Sequence, residues 1–211
     1  MAEKGVKKDG VVHWTSKGNE EQNKLYLDFF NILEKQPGWK GQVKTTVTGL
    51  TLKASTIKPL SDFFPMDYEQ TEKMILHLGL QMLILQHHQK GLCCFTLDDV
   101  LVIDKEFFFL AGLQNVLDIK GVKSDLLSFT YPMKFTAEAT QFFAPELKEK
   151  LDAKILPFTV TISVGYYSLA KLCLYGLQLG ENLGPLQGSK MYYFLERCLK
   201  VDPAERAFLY F

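Results

Sequence analysis

The chain has 211 residues, which is enough for one sizeable hydrophobic core and too few to favour two full domains. Hydrophobic residues make up 47% and charged residues 23% of the chain, a balance typical of globular proteins rather than disordered or fibrous ones. The 24 basic and 24 acidic side chains cancel, so no net charge attracts nucleic acid or an anionic membrane. We therefore expect neither nucleic acid nor a membrane as a partner.

The first 18 residues are polar and lack the apolar stretch of a secretory signal. We interpret residues 1–18 as a flexible tail. The four cysteines are not spaced as the pairs of a zinc site, and their apolar surroundings favour reduced thiols. We expect a cytoplasmic protein that holds no metal ion and no cofactor.

Residues 19–57 predict one helix and a β-hairpin. Apolar residues recur at helical spacing through residues 19–35, and Pro37-Gly38 ends that pattern. Residues 42–47 and 50–56 are rich in threonine and valine, alternate in polarity, and are joined at Thr48-Gly49.

Residues 58–211 predict a mainly helical region. A connector over residues 59–65 leads into a long amphipathic helix over residues 68–90, which Gly91 ends. Two short strands follow at residues 99–103 and 106–110, and residues 112–143 favour an extended segment. The apolar run over residues 155–177 predicts a buried helix, and residues 191–199 predict the last one.

Two short motifs in the second half resemble those of the protein kinase family. Ala144-Pro145-Glu146 resembles the end of a kinase activation segment, and residues 202–206, Asp-Pro-Ala-Glu-Arg, resemble the arginine motif between the last helices. Leu80 to Leu92 is similar to the helix and Gly-Leu pair that precede a kinase catalytic loop. The resemblance implies an α+β, protein-kinase-like fold, with a mainly α-helical C-lobe over residues 58–211 and a reduced N-lobe over residues 19–57. It also implies a structural ion pair between Glu146 and Arg206.

The same resemblance assigns active-site positions to residues that lack kinase chemistry. Thr96 stands where kinases have the catalytic aspartate, and Leu110 stands where they have the aspartate that binds magnesium, although Gly112 of that motif is retained. Gly165 replaces an aspartate that braces the catalytic loop in the family. Asp98 and Asp99 are the one candidate remnant of metal chemistry, although carboxylates in such a turn are usually solvated.

The first 57 residues contain no glycine-rich phosphate loop, because Gly5, Gly10 and Gly18 are too widely spaced. The resemblance therefore implies a pseudokinase without catalytic, cofactor-binding or metal-binding residues. We expect it to bind a protein, either as regulator, inhibitor or scaffold of a genuine kinase, or as a structural subunit of a larger assembly. Two enzymatic alternatives stay open: divergent phosphoryl transfer through Asp98 and Asp99, and thiol chemistry at Cys93-Cys94. An α+β domain unrelated to kinases is the remaining alternative.

Overall fold

The computed structural model describes residues 6–8, 11–16, 18–46, 49–121 and 124–210, which form a mixed fold of α-helices and small antiparallel sheets. The N-terminal sheet has four strands in the order β1-β2-β4-β3: β1 (Val6–Lys8), β2 (Val11–Thr15), β3 (Gln42–Thr46) and β4 (Gly49–Ala54). Alternation places Leu50, Leu52 and Ala54 of β4 on the buried face of this sheet. The predicted hairpin strands are confirmed by the register Val43↔Leu52, whereas Thr48 of the predicted turn lies outside the described residues.

The prediction of a tail over residues 1–18 is wrong for residues 6–8 and 11–15, which form the paired strands β1 and β2. Strand β2 also pairs with β4 in the register Trp14↔Leu52, and the Trp14 side chain is buried. Strand pairing satisfies the backbone hydrogen-bonding groups of this segment, and burial of the Trp14 indole adds apolar contact. The polar residues next to Trp14 in the sequence give no indication of this burial. Residues 1–5, 9, 10 and 17 of the predicted tail lie outside the described residues.

Helix α1 (Glu20–Leu33) packs its apolar face toward the sheet and toward the second half of the chain. Asn19 caps its N-terminus, where the Asn19 side chain accepts a hydrogen bond from the Gln22 N–H and the Gln22 side chain bonds back. Phe30 on the buried face stacks on Phe109 with ring centroids 4.3 Å apart. The helix predicted over residues 19–35 is therefore confirmed, and one hydrophobic core runs across both predicted parts of the chain.

In the described part of the chain, four further α-helices and seven further strands follow β4. They are β5 (Ile57–Pro59), α2 (Tyr68–His87), β6 (Lys90–Leu92), β7 (Val100–Ile103), β8 (Phe107–Leu110), β9 (Val116–Asp118), β10 (Leu126–Phe129), α3 (Pro145–Ala153), β11 (Phe158–Thr161), α4 (Ser163–Leu177) and α5 (Lys190–Cys198). Strands β5, β7 and β8 form one antiparallel sheet, β6 pairs with β9, and β10 pairs with β11.

The predicted buried helix is shorter than expected at its N-terminal end. The apolar run over residues 155–177 predicts one helix, but the first part forms β11, which pairs with β10 in the register Val160↔Leu127. Thr159 and Thr161 are β-branched residues that suit a strand, so apolar content alone does not distinguish strand from helix here. The helix α4 that follows is buried, as predicted.

Side chains of α2 form hydrogen bonds with the outer edge of strand β8. The Gln81 amide donates to the Phe108 carbonyl at 2.9 Å and accepts from the Leu110 N–H at 2.8 Å. The His77 ring nitrogen Nδ1 accepts from the Phe108 N–H at 3.3 Å. These bonds replace a missing neighbouring strand and join the long helix to the strand that leads into the candidate site.

Candidate functional site

A cleft of about 570 Å³ lies where β2 and α1 face the turn before β7 and the segment after β8. Its lining includes Trp14, Tyr26, Thr96, Asp98, Gly112 and Glu138. Three of the positions singled out in the sequence, Thr96, Asp98 and Gly112, thus lie together in one concave site. The cleft has a mixed lining of aromatic, amide, hydroxyl and charged groups, as small-molecule and peptide sites do.

Asp99 lies beneath this cleft and faces the interior of the chain. Its carboxylate oxygen Oδ2 accepts from the Thr96 N–H at 2.9 Å and from the Asn115 amide at 3.0 Å, while Oδ1 accepts from the Gln114 amide. Its main-chain carbonyl accepts from the N–H groups of Ala111 and Gly112 at 2.8 and 2.9 Å. The residue is 0% exposed, so it ties the turn before β7 to the segment after β8. The expectation of a solvated carboxylate is therefore wrong for Asp99.

Burial raises the pKa of Asp99 to about 6, because a carboxylate loses hydration in the interior. Its hydrogen bonds with Thr96 and Asn115 act in the opposite direction, and the charge of Asp98 adds to the increase. The carboxyl group can therefore take up a proton at mildly acidic pH. The Asp99 carboxylate is held in place by hydrogen bonds from Thr96, Gln114 and Asn115, so its role in the site is structural.

Gly112 is required by the close approach of the chain to Asp99. A β-carbon at position 112 would lie 2.9 Å from the Asp99 Cα and would overlap the Asp99 carboxylate. The glycine at position 112 thus has a local steric cause. Leu110, by contrast, is fully buried in the core next to α2, so the position to which the sequence resemblance assigns a metal-binding aspartate is apolar and does not line the cleft.

Gly165 and Ser168 of α4 position the backbone of the segment that carries Thr96. A β-carbon at position 165 would lie 2.5 Å from the Leu92 carbonyl oxygen, so only glycine lets α4 approach this strand. One turn later, the buried Ser168 hydroxyl accepts from the Phe95 N–H at 2.8 Å. The Ser168 hydroxyl of α4 therefore bonds the backbone of the loop that leads to Thr96.

Glu146 and Arg206 are in contact, in the pairing that the sequence resemblance implies. The guanidinium atoms Nη1 and Nη2 donate to the two carboxylate oxygens at 2.5 and 2.9 Å. Arg206 also donates to the carbonyls of Lys200 and Val201, and its guanidinium lies 4.9 Å from the centre of the Tyr167 ring. Arg206 therefore joins the start of α3, α4 and the segment after α5.

Sequence reasoning missed several residues of the site, among them Tyr26, Trp14 and Asn115. The Tyr26 hydroxyl donates to the Ala111 carbonyl at 2.6 Å, which links α1 to the segment after β8. Burial, with the charge of Asp99, raises the pKa of Tyr26. Trp14 lines the cleft, and its buried indole N–H has no hydrogen-bond partner among the residues that the structure describes. The periodicity of α1 places Tyr26 on the inner face, but no local pattern indicates its partner.

The four cysteines are buried, and the environments of Cys94, Cys173 and Cys198 disfavour thiolate formation. A hydrogen bond with Cys93, together with burial, raises the pKa of Cys94. Burial also raises the pKa of Cys173, and that of Cys198 to about 12. Because the thiolate is the reactive form, none of these three groups has the surroundings of an activated nucleophile.

Within residues 6–8, 11–16, 18–46, 49–121 and 124–210, no three His, Cys, Asp or Glu side chains are grouped as a metal site would require. In the same part of the chain, no helix combines the length and the apolar character needed to span a membrane.

Models of known protein families show no match to this chain, and curated protein sequences show none either.

Replacing Asp99 with asparagine is expected to change how stability depends on pH. The folded carboxyl has a pKa of about 6, whereas the unfolded carboxyl has its ordinary pKa of about 4. Between these values the folded state holds a proton that the unfolded state has released, so this group lowers stability as pH rises from about 4 to about 6. Asparagine does not titrate, so this loss is absent from the variant. As pH rises across that interval, the free energy of unfolding of Asp99→Asn should increase relative to that of the parent by on the order of 2–3 kcal/mol.

The measurement is urea unfolding of parent and variant at several pH values between 4 and 7. Comparison of the two proteins is essential because burial lowers the pKa of His77 to about 4. As pH rises through nearly the same interval, His77 therefore increases the free energy of unfolding. The His77 contribution is common to both proteins and cancels in their difference. Parallel curves would contradict the assigned environment of Asp99.

Proposed function

We propose that the chain is a catalytically inactive, kinase-like protein that acts by binding another protein, as a regulator or scaffold of a genuine kinase. The observation that carries the proposal is the chemistry of the cleft beside Asp99. The position of the kinase base is Thr96, and a threonine hydroxyl is too weak a base to accept the proton of a substrate hydroxyl. Asp99 is inward and engaged with Thr96, Gln114 and Asn115.

The order of elements supports the kinase-like part of this proposal. A helix and hairpin are followed by a linker, a long helix, a strand pair, an extended segment, a buried helix and a final helix. The bidentate contact between Glu146 and Arg206 adds a long-range pairing at the two positions where the family retains one. The features that match are structural rather than catalytic, and they support a kinase-like fold whose surface binds a partner.

The strand before α1 supports the non-catalytic part. Kinases place a lysine on the strand before their αC helix and pair it with a glutamate of that helix. Strand β2, Val11–Thr15, contains no lysine, and Trp14 occupies its buried position. The buried residues of α1 are Leu25, Tyr26, Phe29, Phe30 and Leu33, so aromatic packing takes the place of that ion pair.

Addition of ATP and magnesium is expected to leave the melting temperature unchanged within about 1 °C. A ligand at 100 times its dissociation constant stabilises the native state by about 2.7 kcal/mol, which corresponds to roughly 5–10 °C for a chain of this size. A thermal-shift titration of the parent therefore detects even moderate binding. A magnesium-dependent increase that Asp98→Ala abolishes would contradict the proposal and favour divergent phosphoryl transfer.

Affinity purification of the tagged chain, with mass spectrometry, tests the protein-binding part directly. Stoichiometric recovery of a protein kinase supports the proposed role as regulator or scaffold. Recovery of a large particle without a kinase would instead assign the chain a structural role in that assembly. Glu181→Ala changes an exposed residue of a surface ion pair, so this control variant should recover the same partner as the parent.

A further inference from the structure

The outward face of α2 carries a row of three leucines, Leu76, Leu80 and Leu83, here called the leucine stripe. Their spacing of four and then three residues places them on one side of the helix. Leu76 is 44% exposed, Leu83 is 49% exposed, and Leu80 between them is half-buried. An outward helix face in a soluble domain is usually polar, so the stripe requires an explanation.

Further exposed apolar side chains adjoin the stripe. The C-terminal segment lies along α2, since Phe208 contacts the helix at Gly79 and the Tyr210 hydroxyl donates to the Glu72 carboxylate at 2.7 Å. The exposed Leu209 lies between Phe208 and Tyr210 in this segment, and the exposed Tyr68 begins the same helix. Exposed apolar side chains grouped along one helix are typical of a protein interaction surface.

The polar side chains that flank the stripe make it complementary to itself. Glu72 lies four residues before Leu76, and His87 lies four residues after Leu83, on the same face of α2. If a second α2 lies antiparallel across the stripe, Leu76 meets the partner's Leu83 and Leu80 lies near the two-fold axis. The same rotation brings Glu72 toward the partner's His87, whose ring N–H can donate to the carboxylate in either protonation state.

We propose that the leucine stripe binds a second copy of this chain, with the two α2 helices antiparallel about a two-fold axis near Leu80. Burial of apolar surface drives this association, and the contacts between Glu72 and the partner's His87 favour the antiparallel orientation. The proposal is independent of the kinase-like function, because it uses only the exposed face of α2.

Disulfide trapping tests the geometry. A cysteine at position 80 would lie opposite its own copy, so Leu80→Cys should form a covalent dimer under mild oxidation. All four native cysteines are buried and should not compete. Val201→Cys, at a residue 78% exposed and outside the stripe, should remain monomeric under the same conditions. Equal cross-linking of both variants, or none at position 80, would overturn the proposed two-fold arrangement.

Sedimentation equilibrium tests the affinity. Leu83→Glu should raise the dimer dissociation constant at least about 30-fold, because the change occurs on both copies at the centre of the interface. Val201→Glu should leave it unchanged. His87→Glu should raise the constant roughly two- to tenfold, and His87→Lys should not raise it. Circular dichroism checks that each variant is folded. A parent that stays monomeric at all concentrations, including one whose stripe captures a different protein, would overturn the proposal.

Discussion

Replacing Arg206 with alanine is expected to destabilise the folded chain by about 3–5 kcal/mol, because it leaves the Glu146 carboxylate without its partner. The Arg206 side chain is 0% exposed and donates to both oxygens of that carboxylate. Its remaining donors contact the carbonyls of Lys200 and Val201, which would also lose their bonds. Loss of the stack on Tyr167 adds to the cost.

Urea unfolding of the parent and of Arg206→Ala measures this effect. The control is Glu181→Ala, which removes the exposed ion pair with Lys171 at 3.2 Å and should change stability by less than about 1 kcal/mol. Glu146→Gln should fall between the two, since its amide oxygen still accepts one hydrogen bond. Equal midpoints for Arg206→Ala and Glu181→Ala would contradict a structural role for the buried pair.

Introducing at position 165 the aspartate that the sequence resemblance assigns there, with Gly165→Asp, is expected to cost about 3 kcal/mol or more in the free energy of unfolding. The new β-carbon would lie 2.5 Å from the Leu92 carbonyl oxygen and 3.0 Å from the Met82 methyl carbon. Met82 can adjust, but Leu92 belongs to β6, whose backbone is held by its pairing with β9. The change also introduces a carboxylate at a buried position.

Gly165→Ala separates the steric cost from the charge and should retain most of the loss. Gly180→Asn is the matched control, because no atom lies within 4 Å of its added β-carbon and asparagine tolerates the left-handed conformation at φ +60°. Thermal or urea unfolding should place this control within about 1 kcal/mol of the parent. If Gly165→Asp unfolds like the control, α4 and β6 do not approach as closely as described.

The cleft near Asp99 could be predicted only in part from the sequence. The resemblance indicated that Thr96, Asp99 and Gly112 belong to one region, and local turn signals located the strands on either side. It did not indicate that the Asp99 carboxylate faces inward. That direction depends on hydrogen bonds from the Asn115 and Gln114 side chains, which come after β8. Tyr26 was missed for the same reason, since its partner Ala111 lies 85 residues later.

Local patterns in the sequence determined the elements whose stabilising contacts are themselves local. The Asn19 and Asp67 capping boxes, the helical spacing of α1 and α2, and the hairpin of β3 and β4 all involve residues near one another in the chain. Tertiary structure alone decided that residues 11–15 pair with β4 and that β11 replaces the start of a helix, because the paired residues of β2–β4 and β10–β11 lie 29 to 42 positions apart in the sequence. It also decided that Ser168 bonds the Phe95 backbone and that α4 approaches β6 at Gly165, since such packing follows from the arrangement of whole elements.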